Sequence, residues 1–191
     1  SFAYLFYILQ KSSAKKAFIN STVFGFGYFT TGVYWVYHAL SVYGGASFFL
    51  STLLAFLLIL ALSCLFATPA YIINRFTSKD AKVRRLTLLY PASFVVFEWL
   101  RGHLVFTGFP WLLLGYSQTE TWFNSLAPIF GVYGLSLFVY FMSGSIVALF
   151  FNIPRAQQNA LILTPILLIA LTIYLHHKSF TTLYNKQTTA I

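Results

Sequence analysis

The chain has 191 residues, of which 59% are apolar and only 8% charged, far below the roughly 25% charged residues of an ordinary soluble domain. A water-soluble monomer is excluded. Twelve Lys and Arg against three Asp and Glu give a net charge of +9, yet the basic residues fall in short clusters between apolar runs, the pattern that orients a membrane protein rather than the basic face of a nucleic-acid binder.

The residues from Phe2 to Leu9 are apolar but too few for the roughly 20 that cross a bilayer. Nothing like a signal-peptide cleavage site follows them. They read as the tail of a span cut off upstream, as does the start at Ser1 rather than Met. Phe18 to Leu40 is an uncharged run of 23 residues, about 34 Å as a helix against a hydrocarbon core of about 30 Å. Phe48 to Ile73 is a second uncharged run, of 26 residues, with Pro69 near one end, where the freed carbonyl can find another partner. Leu86 to Val105 is apolar until Glu98, Arg101 and His103, so its last turns should face protein or water. Leu126 to Phe151 is uncharged and rich in Gly and Ser, which allows close helix approach. Asn159 to Leu175 has 17 residues, the short end of the spanning range.

These runs predict an all-α fold, a polytopic transmembrane helical bundle of about five full spans plus a truncated N-terminal one. The membrane domain should cover residues 1–175, with spans at about 1–9 (partial), 18–40, 48–73, 86–105, 126–151 and 159–175; residues 176–191 should begin an extramembrane segment. Orientation follows from Lys and Arg in alternate connectors. Lys11, Lys15, Lys16, Arg75, Lys79, Lys82, Arg84, Arg85 and Arg155 are nine of the twelve and share one side, which the positive-inside bias makes cytoplasmic. The segment between Gly102 and Ser125 and the polar tail after Leu175 then face away from the cytoplasm.

The stretch from Glu98 to Gln118 carries the most chemistry. Glu98 and Arg101 are spaced i, i+3 and share a helix face. They read either as a structural ion pair or as a contact for a polar ligand headgroup, since ionisable residues inside a membrane segment are functional by default. Beyond them, Thr107-Gly108-Phe109-Pro110-Trp111 cannot continue a regular helix. Such a break at membrane depth is tolerated where protein buries it or where it lines a cavity. It reads as an interfacial aromatic belt or as the lip of a lipid-accessible pocket. The small residues around Gly25, Gly27 and Gly32 read as a packing surface rather than a site. His38 reads as interfacial, His176 and His177 as at best a weak metal pair, and Cys64 as a small hydrophobe. No phosphate loop, nucleophile elbow or zinc-protease pair occurs, so no cofactor or metal is implied.

Gly25-Phe26-Gly27-Tyr28-Phe29, Thr31-Gly32-Val33, Trp35, Glu98-Trp99-Leu100-Arg101-Gly102, Phe106-Thr107-Gly108-Phe109-Pro110-Trp111, Gly115-Tyr116-Ser117-Gln118 and Ala127-Pro128-Ile129-Phe130-Gly131-Val132-Tyr133-Gly134 occur in this order. Together they resemble the apolipoprotein N-acyltransferases of the bacterial inner membrane, from about Val23 to Gly144. The resemblance implies an enzyme that moves an acyl chain from a phospholipid, through a cysteine thioester, to the N-terminal diacylglyceryl-cysteine of an apolipoprotein. It also implies that a Glu, Lys and Cys triad in a periplasmic nitrilase-like domain does the chemistry, so that no catalytic residue is expected here and the piece alone should be silent. Cys64 matches no position of that triad. Glu98, Arg101, Phe106, Phe109, Pro110, Trp111 and Gln118 are then the candidates for lipid or substrate contact at the periplasmic edge. A transporter, a channel or a structural membrane scaffold are the competing readings.

Overall fold

The computed structural model describes residues 2–104 and 108–178, except for the side chains of 176–178. In chain order the elements are α1 (Phe2–Lys11), α2 (Ala14–Val33), a short α3 (Trp35–His38) running into a π-helical turn at Ala39–Tyr43, and α4 (Phe48–Phe76). Then come α5 (Lys82–Arg84) with a second π turn at Arg85–Leu89, α6 (Tyr90–His103), 3₁₀ turns at Leu114–Gln118 and Trp122–Leu126, α7 (Ala127–Ala148) and α8 (Arg155–Lys178). The described residues contain no strand, and the fold is the all-α bundle that the apolar runs predict.

Three stretches are long and apolar enough to cross a membrane: Phe48–Phe76, Trp122–Ala148 and Arg155–Leu175. The other two expected full spans are built differently. One runs through α2, α3 and a π turn, and the other through α5, a π turn and α6. The last helix starts before the expected Asn159 because the Pro154 carbonyl accepts from the backbone N–H groups of Gln157 and Gln158. Arg155 and the glutamines end an apolar run without ending a helix, for which their propensity is good.

α2 and α4 pack along a seam of small side chains. On α2 the buried positions are Ala17, Ser21, Gly25, Phe29 and Val33, each four residues from the last. On α4 they include Ser51, Ala55, Ile59, Ser63, Ala67 and Ala70. Spacing of this kind sets one face toward the neighbour, and in lipid, where apolar burial drives little, close backbone approach supplies the attraction. A Cβ on Gly25 would lie 3.3 Å from the Ser63 backbone. Gly27, on another face, meets nothing within 4 Å.

α1 lies in the core. Phe6 is fully buried and stacks on Tyr90 with ring centroids 5.3 Å apart; Phe94 stacks on Tyr140 of α7 at 5.5 Å. At the end of the bundle where α1, α4 and α6 meet, Arg85 is also fully buried. Its Nη2 donates to Asn74 Oδ1 and to Tyr90 Oη, each at 2.7 Å. Asn74 Nδ2 in turn donates to the carbonyls of Leu9 at 2.8 Å and Ser12 at 3.1 Å. This knot joins the ends of three helices, and α7 closes on it at Gly144, where an added Cβ would come within 1.8 Å of the Leu86 carbonyl oxygen.

Gly144 and Gly27 therefore predict opposite outcomes. Gly144→Ala forces backbone apart and should cost about 1–3 kcal/mol, whereas Gly27→Ala meets open space and should be neutral or stabilising by up to about 1 kcal/mol. Thermal unfolding of the detergent-solubilised variants checks both. Equal midpoints would contradict the close approach of α7 to the 85–89 turn.

Candidate functional site

Helix α6 ends where Gly108 takes φ +100°, a conformation open to glycine but strained for other residues. A Cβ there would also stand 2.7 Å from the Gly102 carbonyl oxygen. The chain reverses at this point, and the Phe109 N–H donates to the Arg101 carbonyl at 2.8 Å. Leu112 follows with φ +59°, an uncommon value for a side chain of its size.

Arg101 holds that reversal in place. Its Nη1 donates to the Trp111 carbonyl and its Nη2 to the Leu112 carbonyl at 3.2 Å. The Tyr28 hydroxyl donates to the same Leu112 oxygen at 3.2 Å, and the guanidinium lies 5.3 Å over the Phe29 ring. Glu98 holds the next residues. Its Oε1 accepts from the Leu114 N–H at 3.1 Å and from the Tyr140 hydroxyl at 2.8 Å. One step on, the Gly115 N–H donates to Ser136 Oγ at 2.8 Å, and Gly115 is pressed so close to the Val132 carbonyl that a Cβ would lie 2.1 Å from its oxygen.

Glu98 and Arg101 thus share a face, as their spacing predicts, but each charged group takes its own partners instead of forming a direct pair. Both are buried, at 6% and 5% exposure, so neither presents its charge at the surface. They border a small cavity of about 20 Å³ with Tyr28, Phe66 and Phe94. Glu98 Oε2 is buried without a hydrogen-bond partner, and the cavity has room for about one water molecule.

What the reversal exposes is aromatic. Pro110 and Trp111 are exposed and Phe109 half-buried. Trp111 packs on Phe109 at 5.0 Å and on Trp35 at 5.7 Å, which joins the start of α3 to the same rim. Gln118 lies further along, half-buried, with Nε2 donating to Ser117 Oγ at 2.8 Å and Oε1 accepting from Thr121 Oγ1 at 3.2 Å. Phe106 lies outside the described residues. Sequence spacing does not bring in Tyr28, Tyr140 and Ser136, which come from α2 and α7 to complete the buried network. Their only sequence signal is a hydroxyl inside an apolar run.

Fold and site together define a helical membrane domain whose one end carries a broken, aromatic rim braced from beneath by buried charges. The family described as "Apolipoprotein N-acyltransferase N-terminal domain" matches residues 1–145. An apolipoprotein N-acyltransferase of Methylococcus capsulatus is 36% identical over 172 residues, 90% of this chain and 34% of that relative. Those of Coxiella burnetii and Photobacterium profundum are 37% identical over 147 residues and 34% over 172. The chain belongs to the apolipoprotein N-acyltransferase family, and it spans about a third of the length of these curated relatives.

Arg101→Ala should free the carbonyls of Trp111 and Leu112 and release the strained Leu112 backbone, at a cost of about 2–4 kcal/mol for lost charge-assisted bonds in a buried place. Limited proteolysis is expected to open a new cut near residues 109–112 while helical circular dichroism is kept. A cleavage pattern identical to the parent's would show that the brace holds nothing.

Proposed function

We propose that this chain is the membrane platform of a lipid-using N-acyltransferase, delivering acyl chains to chemistry carried out beyond it. The donor is a membrane phospholipid and the acceptor the N-terminal diacylglyceryl-cysteine of an apolipoprotein. The domain sits as a multi-pass bundle in the bacterial inner membrane, residues 1–175 forming its membrane part and residues 176–191 leading into the periplasm. The reacting Glu, Lys and Cys belong to a nitrilase-like domain and not to this chain, which alone is catalytically silent.

The observation that carries the reading is the rim at Phe109, Pro110, Trp111 and Trp35: large apolar rings at the end of the bundle, held open by backbone that cannot relax into a helix. Aromatic side chains favour this membrane depth, and their flat faces suit sliding acyl chains. Phe106 and Gln118 extend the same edge. Glu98 and Arg101 act as positioning residues beneath it. The orientation has independent support, because the α1–α2, α4–α5 and α7–α8 connectors, which hold nine of the twelve basic residues, gather at the opposite end. A transporter would need charged groups lining a path through several spans, whereas the buried pair here borders a cavity of about 20 Å³.

In the full-length enzyme, a Phe109→Ala/Trp111→Ala double variant should lower acylation of a diacylglyceryl lipopeptide by roughly tenfold, the scale of losing two buried aromatic contacts to a lipid. Its thermal midpoint should stay near the parent's, since both side chains sit at the rim. Full acylation by this variant would remove the rim from the mechanism.

A further inference from the structure

The inner face of α8 carries Gln157, Leu161, Thr164, Leu168 and Thr172, which follow one another at three- and four-residue steps and so lie in one stripe. Two of them hold the helix to the bundle. Leu161 is packed into the core; Thr172 is buried, and its carbonyl accepts from Ser125 Oγ at 3.1 Å. Between these anchors, Thr164 and Leu168 border a groove of about 390 Å³ whose opposite wall is Leu137, Phe138 and Phe141 of α7. Protein interiors are close-packed, and a gap of this size leaves its walls without partners unless something lies in it.

At the start of the same stripe, Gln157 lines a second hollow, a polar crevice of about 420 Å³ walled by Lys82 and Arg84 on one side and Asn152 and Pro154 on the other. The first turn of α8 opens there, adding the positive end of a helix dipole. Asp80 is the crevice's carboxylate, and Ser78 Oγ donates to it at 3.2 Å. Two cations, amide groups and a helix start against one carboxylate leave a net positive pocket.

We infer that crevice and groove together hold one anionic phospholipid, its headgroup at Lys82 and Arg84 and an acyl chain between α7 and α8. Charge is matched at the crevice, and length at the groove. From Gln157 to Leu168 is about 16 Å along the helix, close to the ~15 Å depth of one leaflet of a 30 Å hydrocarbon core. Basic pockets between helices at a membrane edge favour anionic headgroups. The site lies at the end of the bundle opposite Trp111, so this lipid is a resident of the basic end, separate from the donor proposed at the rim.

The test uses the full-length protein in phosphatidylcholine nanodiscs containing a minor fraction of phosphatidylglycerol, with native mass spectrometry reading retained lipid. Phosphatidylglycerol should be enriched over its bulk fraction, and Lys82→Gln/Arg84→Gln should reduce that enrichment by roughly tenfold, the scale of two basic side chains at a membrane surface. Thr164→Trp, which fills the groove and leaves every charge in place, should also lose the retained lipid. Equal retention of both lipids, retention unchanged in either variant, or displacement of the lipid by millimolar inorganic phosphate would overturn the assignment. Lipid retention is measured without acyl transfer, so its failure is distinguishable from failure of the rim.

Discussion

A polypeptide that stops being helical inside an apolar bundle must find partners for each carbonyl and N–H it frees, because lipid offers none. Here the reversal after α6 does so through two side chains of α6 itself. Arg101 takes the carbonyls of Trp111 and Leu112, and Glu98 takes the N–H of Leu114. The arrangement matches chemistry to need: a guanidinium has only donors and an ionised carboxylate only acceptors, so the cation serves carbonyls and the anion serves an N–H. Nothing in this scheme requires the two charges to touch. The tight glycines follow from it, since Gly108 must turn and Gly115 must lie against Val132 for the returning chain to come within reach.

The second buried arginine shows the same economy at the other end. Arg85 meets Asn74 and Tyr90, both neutral, and through Asn74 it reaches the carbonyls that end α1. Burying a cation costs several kcal/mol before its bonds are counted, so such a residue fixes geometry more than it adds stability. Between these two knots the bundle is held by shape: small side chains where α2 meets α4, and aromatic rings where α1, α6 and α7 meet. The fold thus has polar fasteners at its ends and a dry middle, as a bilayer demands.

Much of this was legible from residue order. Apolar runs gave the helices because length and absence of charge are what lipid selects. The break at Gly108 and Pro110 was legible because both residues act on the backbone directly, whatever surrounds them. Partners across the bundle were not. The i, i+3 spacing of Glu98 and Arg101 gives their shared face, but whether they bond to each other depends on what α2 and α7 bring opposite them, and Tyr28, Ser136 and Tyr140 carry no local signature of that task. Arg85 was hidden for a related reason: in a basic connector it counts as one charge among five, and only the return of Asn74 to the end of α1 makes it a core residue. The φ of +63° at Gly131 within α7 escaped in the same way, inside a run whose composition reads as unbroken helix.

Holding the rim from below has a consequence for what the rim can discriminate. Since Glu98 and Arg101 spend their charge on backbone, the surface at Phe109, Pro110 and Trp111 is apolar, and apolar contact distinguishes acyl chains by length and shape far better than it distinguishes headgroups. Headgroup choice would need charge at the surface, and the described residues gather that at the other end, around Lys82 and Arg84. A lipid-handling platform built this way separates its two kinds of recognition along the membrane normal: a basic end that sorts by charge, and an aromatic end that accepts a chain and leaves the chemistry to groups outside the bilayer.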